Sequence, residues 1–267
     1  AKVKQGFEPM TPGFTHVPFN DLDAVRNAIS PATVAVLIEG IQGEGGITPA
    51  TPEYLLGLRQ LCDEKNLLLM IDGVQCGHFR SGRFQSYQRI LEGVPGGDRF
   101  VPDAISMAKS LGGGFPIGAF WVRQPHADLL GPGTHGTTYG GTPLGCAVAL
   151  KIFEVIERDG LQENIRRLGD WWIEKLNALK SEFPGVIRSV RGLGFIIGIE
   201  LQEDIPAYAD TGKAPSINMV NALHEAGLLT IPSGLRVFRL LPPYNLTERD
   251  ATEGLALIRQ EVQRLAV

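Results

Sequence analysis

The chain has 267 residues, 43% of them hydrophobic and 20% charged, with a formal net charge of -4. This is the composition of a globular protein of one large domain, or of a large and a small one. It shows no basic run of the kind that marks a nucleic-acid surface, no acidic tail and no apolar stretch long enough to span a membrane. From about residue 14 to about residue 125, strand and helix signals alternate. Residues 14–19 read as a short extended run, and residues 21–29 as a helix capped by Asn20 or Asp21. Residues 34–38 are a continuous apolar run, which suits a strand buried on both faces of a parallel sheet. Residues 51–65 read as a helix, with Thr51 as N-cap and Pro52 in the first turn. Residues 67–71 form a second buried strand that ends at Asp72, and residues 103–107 and 118–122 form two more. This rhythm predicts an α/β domain with a mostly parallel sheet and helices on both faces.

The pattern changes after about residue 142. Helices are expected over residues 143–156, 161–183, 216–226 and 247–265, and strands over 186–190, 195–201 and 237–241. Together they describe a smaller α+β unit. A boundary near Gly160 divides the chain into 1–159, part of a large domain, and 160–267, a small C-terminal domain. The three cysteines, Cys62, Cys76 and Cys146, are far apart and form no ligand spacing and no disulfide framework, which points to a reducing, cytoplasmic setting. His16, His78, His135 and His224 show no metal-ligand spacing, and no metal is expected. The first residue is Ala1 rather than Met, and the opening residues do not form a signal peptide.

Five places carry possible chemistry, each with a purely structural alternative. Lys109 follows the strand at 103–107 and precedes three glycines, Gly112 to Gly114. A lysine in that crevice position can be desolvated, which frees its amine for Schiff-base chemistry. The alternative is a solvated lysine beside a flexible loop. Asp72 ends a strand of five apolar residues and needs a positive partner, such as a protonated pyridine nitrogen. It could equally be a turn aspartate. The Gly-rich loop from Glu39 to Gly46 lacks the lysine ending of a P-loop, and its Glu39 and Glu44 would repel an anion, so it reads as a wall of a site. Thr137 and Thr138, in Gly136-Thr137-Thr138-Tyr139-Gly140-Gly141, offer hydroxyls near a helix start, which suits a phosphate or a plain N-cap. Arg239 shares a strand face with Val237 and Leu241, so its guanidinium calls for a carboxylate, either Glu44 or a substrate's, unless it snorkels to solvent.

Taken in order, Glu-x-x-Gln-Gly-Glu-Gly-Gly from Glu39, Asp-x-Val-Gln-x-Gly from Asp72, Ala-Lys-Ser-Leu-Gly-Gly-Gly-Phe-Pro-Ile-Gly-Ala from Ala108, His-Gly-Thr-Thr-Tyr-Gly-Gly from His135 and Phe-Arg-Leu-Leu-Pro-Pro from Phe238 resemble the class III aminotransferases. Pro18-Phe19-Asn20-Asp21-Leu22 and the Leu-Leu-Pro-Pro ending look most like the acetylornithine branch. The resemblance implies a fold type I enzyme that uses pyridoxal 5'-phosphate and works as a homodimer with sites at the subunit interface. It implies an amino donor and a 2-oxo acid as substrates, with N-acetylornithine and 2-oxoglutarate as the expected pair. By position, Lys109 would bond to the cofactor aldehyde, and Asp72 would pair the pyridinium nitrogen. Val74 would pack on the ring, and Gln75 would reach the ring hydroxyl. Thr138, with Thr137 beside it, would serve the phosphate of the partner subunit's cofactor. Glu44 would hold Arg239 until a substrate carboxylate claims it.

The chain departs from the family's usual pattern at several points. Gly73 stands where a glutamate is usual, and Gly77-His78-Phe79-Arg80-Ser81-Gly82 replaces Gly-x-Gly-Arg-Thr-Gly. Gly40 replaces a proline, and Thr142 an asparagine. Nothing in residues 1–30 matches the family's phosphate loop, its ring-stacking aromatic or its further substrate arginine, so the chain is expected to be part of a longer protein. The alternatives that remain are another class III activity, on ornithine or 4-aminobutyrate, and an inactive or scaffolding fragment. A nucleotide-binding domain is disfavoured by the missing P-loop ending and the missing G-x-G-x-x-G.

Overall fold

The computed structural model describes residues 4–266. Residues 14–19, expected to be extended, pair with no strand. Helix α1 (Leu22–Ala28) begins where Asp21 accepts the N–H of Ala24 at 2.8 Å. Strand β1 (Ala35–Glu39) leads into a two-stranded ladder of β2 (Ile41–Gln42) and β3 (Thr48–Pro49). Helix α2 (Pro52–Lys65) starts as its sequence predicts. The Thr51 hydroxyl accepts the N–H of Tyr54, a cap worth about 1 kcal/mol. It stops at Asn66, whose left-handed backbone closes the last turn. Strand β4 (Leu68–Asp72), helix α3 (Ser86–Ile90), strand β5 (Ala104–Met107) and strand β6 (Ala119–Val122) follow.

These strands form one sheet in the order β1-β4-β5-β6. The first three run parallel, and β6 runs antiparallel to β5. The link between β5 and β6 carries no crossover helix, and an antiparallel pair needs none. On one face, Leu69, Ile71 and Ile105 pack against Val25 of α1, Leu55 and Leu58 of α2 and Tyr87 of α3. The other face is open at Leu37 and Phe120, which are 60% and 49% exposed. The apolar run at 34–38 therefore does not make a strand buried on both faces. β1 is the edge of this sheet, and α1 to α3 gather on the side opposite Leu37.

The second half contains α4 (Pro143–Arg158), α5 (Leu161–Glu182), β7 (Ile187–Leu193), β8 (Ile196–Leu201), α6 (Pro215–Glu225), β9 (Ile231–Pro232), β10 (Val237–Leu240) and α7 (Glu248–Leu265). Its sheet has the order β7-β8-β10-β9 and is antiparallel throughout. Trp172, Leu176, Ile197, Met219, Phe238 and Ile258 form its core. The Trp172 indole donates to the Ala251 carbonyl at 3.0 Å, which spares a buried N–H from going unpaired. A small shared core, Ile41, Ile47 and Cys76 with Ile196, joins the two halves. No helix among the described residues is long and apolar enough to cross a membrane.

Candidate active site

Asp72 is the last residue of β4, and its register partners are Glu39 on β1 and Ser106 on β5. Partners across a ladder point to the same face, so the three side chains form a row along the strand ends. One Asp72 oxygen accepts the N–H of Val74 at 3.0 Å and faces the Ser106 hydroxyl at 3.4 Å. Neither contact is to a cation. Lys109 lies three residues beyond Ser106, where a short 3-10 turn, Lys109–Leu111, begins. Its φ of 49° is left-handed, a conformation that costs a side-chain-bearing residue about 1–2 kcal/mol and is found where a site dictates geometry. The lysine is exposed, and its charge is felt by both Glu39 and Glu44. The structure thus brings Lys109 and Asp72 to one end of one sheet, the end where ligands bind in open α/β folds.

Arg239 comes from the other sheet. It is 6% exposed, and its Nη1 donates to the Gly43 carbonyl at 2.6 Å, to Glu44 at 2.7 Å and to the Gln75 oxygen at 3.0 Å. Its Nε is buried with no partner among the described residues. Gln75 also donates to Glu44 at 3.2 Å, so both ends of its amide are engaged. Gln75 was expected at a cofactor ring. In this structure it braces the arginine cluster. Burial works against the charge of Glu44, yet hydrogen bonds from Arg239 and Gln75, with the Lys109 ammonium, outweigh it and hold the carboxyl below the usual range. A Cβ on Gly43 would lie 2.2 Å from the Gln75 oxygen, so a side chain there would displace that amide from the arginine cluster. A cleft of ≈ 720 Å³ opens beside this cluster, lined among others by Glu44, Gly46, Ser233 and Arg236.

Val74 is half-buried in the turn after Asp72. Thr137 and Thr138 lie on an exposed loop, and Thr137 accepts the N–H of Gly140 at 3.1 Å. They precede the next helix, as expected, but do not cap it. Helix α4 begins six residues after Thr137, and its cap is Thr142, which accepts the N–H of Gly145 at 3.3 Å. Thr137 does line a second cleft of ≈ 270 Å³ with Gly118 and Tyr139.

Sequence reasoning missed two polar groups beside this site. Glu39 was read only as part of a wall. Gln85 was not singled out, although it is fully buried and its side-chain oxygen sits under Gly73. The signal for Gln85 was the glycine at position 73 itself, a place where something else must fill the volume.

An amine and a carboxylate lie at the strand ends of the first sheet, and a buried guanidinium of the second sheet is tied to the neighbouring Gly43–Glu44 turn and to Gln75. The aminotransferase class-III family profile matches residues 1–262. The acetylornithine aminotransferase of Myxococcus xanthus is 42% identical over 251 residues, which are 94% of this chain and 58% of that protein. The succinylornithine transaminase of Salmonella paratyphi A is 40% identical, over 98% of this chain and 60% of its own length. The solved structure of the ornithine aminotransferase from Toxoplasma gondii superposes with a TM-score of 0.86 at 32% identity, covering 99% of this chain and 59% of that one. The chain belongs to the class III aminotransferases. It spans about three-fifths of the length of these relatives.

Proposed function

We propose that the whole protein transfers an amino group from N-acetylornithine, or a similar ω-amine, to 2-oxoglutarate, as a step of arginine metabolism in the cytoplasm. The observation that carries this reading is the placement of Lys109 and Asp72 at the same end of one sheet, with Arg239 held by Glu44 from the adjoining turn. The residues fit pyridoxal 5'-phosphate. Lys109 is an exposed amine, and Asp72 is a half-buried carboxylate whose contacts include no cation. When bound, the cofactor supplies an aldehyde for amines and a protonated ring that draws electron density from the substrate carbon.

The chain's own residues divide the remaining work. Asp72 pairs the positive ring nitrogen and keeps it protonated. Lys109 would hold the aldehyde end of the cofactor, and its free amine would carry the proton at the reacting carbon of the substrate. Val74 would pack on the ring, and Gln75 would serve its hydroxyl. Arg239 leaves Glu44 to bind the α-carboxylate of the oxo acid, since a guanidinium matches a carboxylate in a paired geometry. In a homodimer, Thr137 and Thr138 would donate to the phosphate of the partner subunit's cofactor. In the same reading, residues 1–159 belong to the cofactor-binding domain and residues 160–267 form the small domain.

Relatives named for acylated ornithines support such a donor over 4-aminobutyrate. Two measurements test the proposal. Borohydride reduction of the loaded protein, followed by peptide mapping, should place the cofactor on Lys109, and Lys109→Ala should lose both the adduct and turnover. Full turnover in that variant ends the proposal. Amino-donor profiling then separates acetylornithine from ornithine and 4-aminobutyrate.

A further inference from the structure

The reading above uses Asp72 and leaves its register neighbour Glu39 without a task. Glu39 ends β1 on the same face as Asp72 and Ser106. Its Oε2 accepts the N–H of Gly43 at 2.9 Å. Gly43 has no side chain with which to fix itself, and its carbonyl in turn accepts Arg239 Nη1 at 2.6 Å and the Ser233 hydroxyl at 2.9 Å. One residue of backbone therefore ties a carboxylate at the end of the first sheet to the guanidinium on the second.

We propose that Glu39 is a positioning residue for Arg239: its carboxylate fixes the Gly43–Glu44 turn, and that turn presents the guanidinium to an incoming substrate carboxylate. The inference rests on the reading of Arg239 as a substrate-binding arginine. It gives a residue outside the proposed substrate and cofactor contacts the task of setting how well the substrate is bound.

The electrostatic setting makes this device sensitive to acid. Asp72 faces Glu39 from β4, Glu44 from the turn, Lys109 from beyond β5 and Cys76 from the turn after β4. Burial raises the Glu39 pKa above the usual carboxylate value, and Asp72 and Glu44 add to that. The Gly43 N–H and Lys109 oppose them without cancelling the rise. A charged acceptor binds an N–H about twice as strongly as a neutral one. Protonating Glu39 therefore loosens the turn at a pH where ordinary exposed carboxylates are still ionised.

The test uses the intact protein loaded with pyridoxal phosphate, with glutarate as an unreactive dicarboxylate probe. Removing one partner of this half-buried hydrogen bond should weaken glutarate binding about tenfold in Glu39→Ala. The KM for 2-oxoglutarate should rise in step, with a much smaller fall in kcat and with cofactor occupancy retained. Glu39→Gln keeps an acceptor for Gly43 and should recover most of the affinity. It should also shift the expected acid-side loss of glutarate binding to lower pH, leaving only the part due to the carboxyls of the probe itself. Wild-type glutarate affinity in Glu39→Ala overturns the proposal, as does a loss confined to kcat and cofactor. If Glu39→Ala does not fold, an acid limb unchanged in Glu39→Gln overturns it instead. A wild-type protein that transaminates without binding glutarate through Arg239 refutes the parent reading, an outcome separate from these.

Discussion

A Cβ on Gly73 would lie 2.5 Å from the side-chain oxygen of Gln85, closer than any two such atoms can rest. The same oxygen would sit 2.5 Å from a Cβ on Gly77, so one buried glutamine fills the space under two glycines. The pair explains why the residue next to Asp72 is the smallest one. The backbone there also lies close to the Ser106 carbonyl, 3.0 Å from that notional Cβ.

Gly73→Ala should therefore destabilise the protein by about 1–3 kcal/mol, the usual cost of overpacking a filled interior. Gln85→Ala in the same chain should return part of that loss, because the atom in conflict is gone. Urea unfolding of both single variants and of the double variant gives the coupling directly. Strictly additive effects would show that Gln85 is not what excludes the side chain.

His78 gives a prediction in pH. It is 1% exposed, its ring stands among Phe79, Phe84 and Phe153, and neither ring nitrogen has a partner among the described residues. Burial, with a smaller contribution from the Arg80 charge, pushes its pKa down to about 4. The unfolded chain takes up that proton near pH 6.5, and the folded protein resists until about 4. Stability from the neutral ring is thus complete above about pH 6.5 and is lost as pH falls towards 4, by at most roughly 3 kcal/mol. His78→Asn, which tolerates the left-handed backbone at that position, should flatten this slope in a melting-temperature series.

Phe79 sets two effects against each other. Its φ of 69° costs about 1–2 kcal/mol for a residue with a side chain, which Phe79→Gly would return. Its ring meets Phe84 and Phe153 at 5.6 and 6.1 Å, and removing a packed phenylalanine costs up to about 3–5 kcal/mol. Packing is the larger quantity, so the variant should be net destabilised, as read from its urea midpoint. A gain in stability would mean that backbone strain dominates.

Arg239 tests the carboxylate site. Arg239→Ala should raise the KM for 2-oxoglutarate by about 100-fold, the order expected for losing a buried, charge-assisted contact. Arg239→Lys should recover only part of it, because an ammonium cannot offer the paired geometry. Steady-state kinetics of the intact protein decide the matter, and an unchanged KM would remove Arg239 from substrate binding.

The elements were largely readable in the sequence where local signals were strong. Thr51-Pro52 fixed the start of α2, and the two apolar runs before Glu39 and Asp72 gave β1 and β4. Phe79 shows how a departure from pattern also carries information, for it holds a left-handed backbone where related chains usually place glycine. What could not be read was what depends on distant partners. The edge position of β1 depends on which strands pair, and the reversal of β6 on how a loop closes. At the site, Lys109, Asp72 and the Glu44–Arg239 pair were foreseen as candidates, and the pair is present. The engagement of Gln75 with that pair was not foreseen, because the reach of an amide across 164 positions leaves no periodic trace.

The clasp between Arg239 and the Gly43–Glu44 turn has a mechanical consequence. It is reinforced by Arg191, which donates to the Gly46 carbonyl at 2.9 Å, and by Ser233, which accepts the Gly46 N–H at 2.9 Å. Every one of these bonds joins a loop of the first sheet to the second sheet, and the small core around Ile47 and Ile196 lies beneath them. Pulling the halves apart would break these bonds and expose the shared apolar core to water at once, so the two halves should unfold together, and a calorimeter should record one endotherm rather than two.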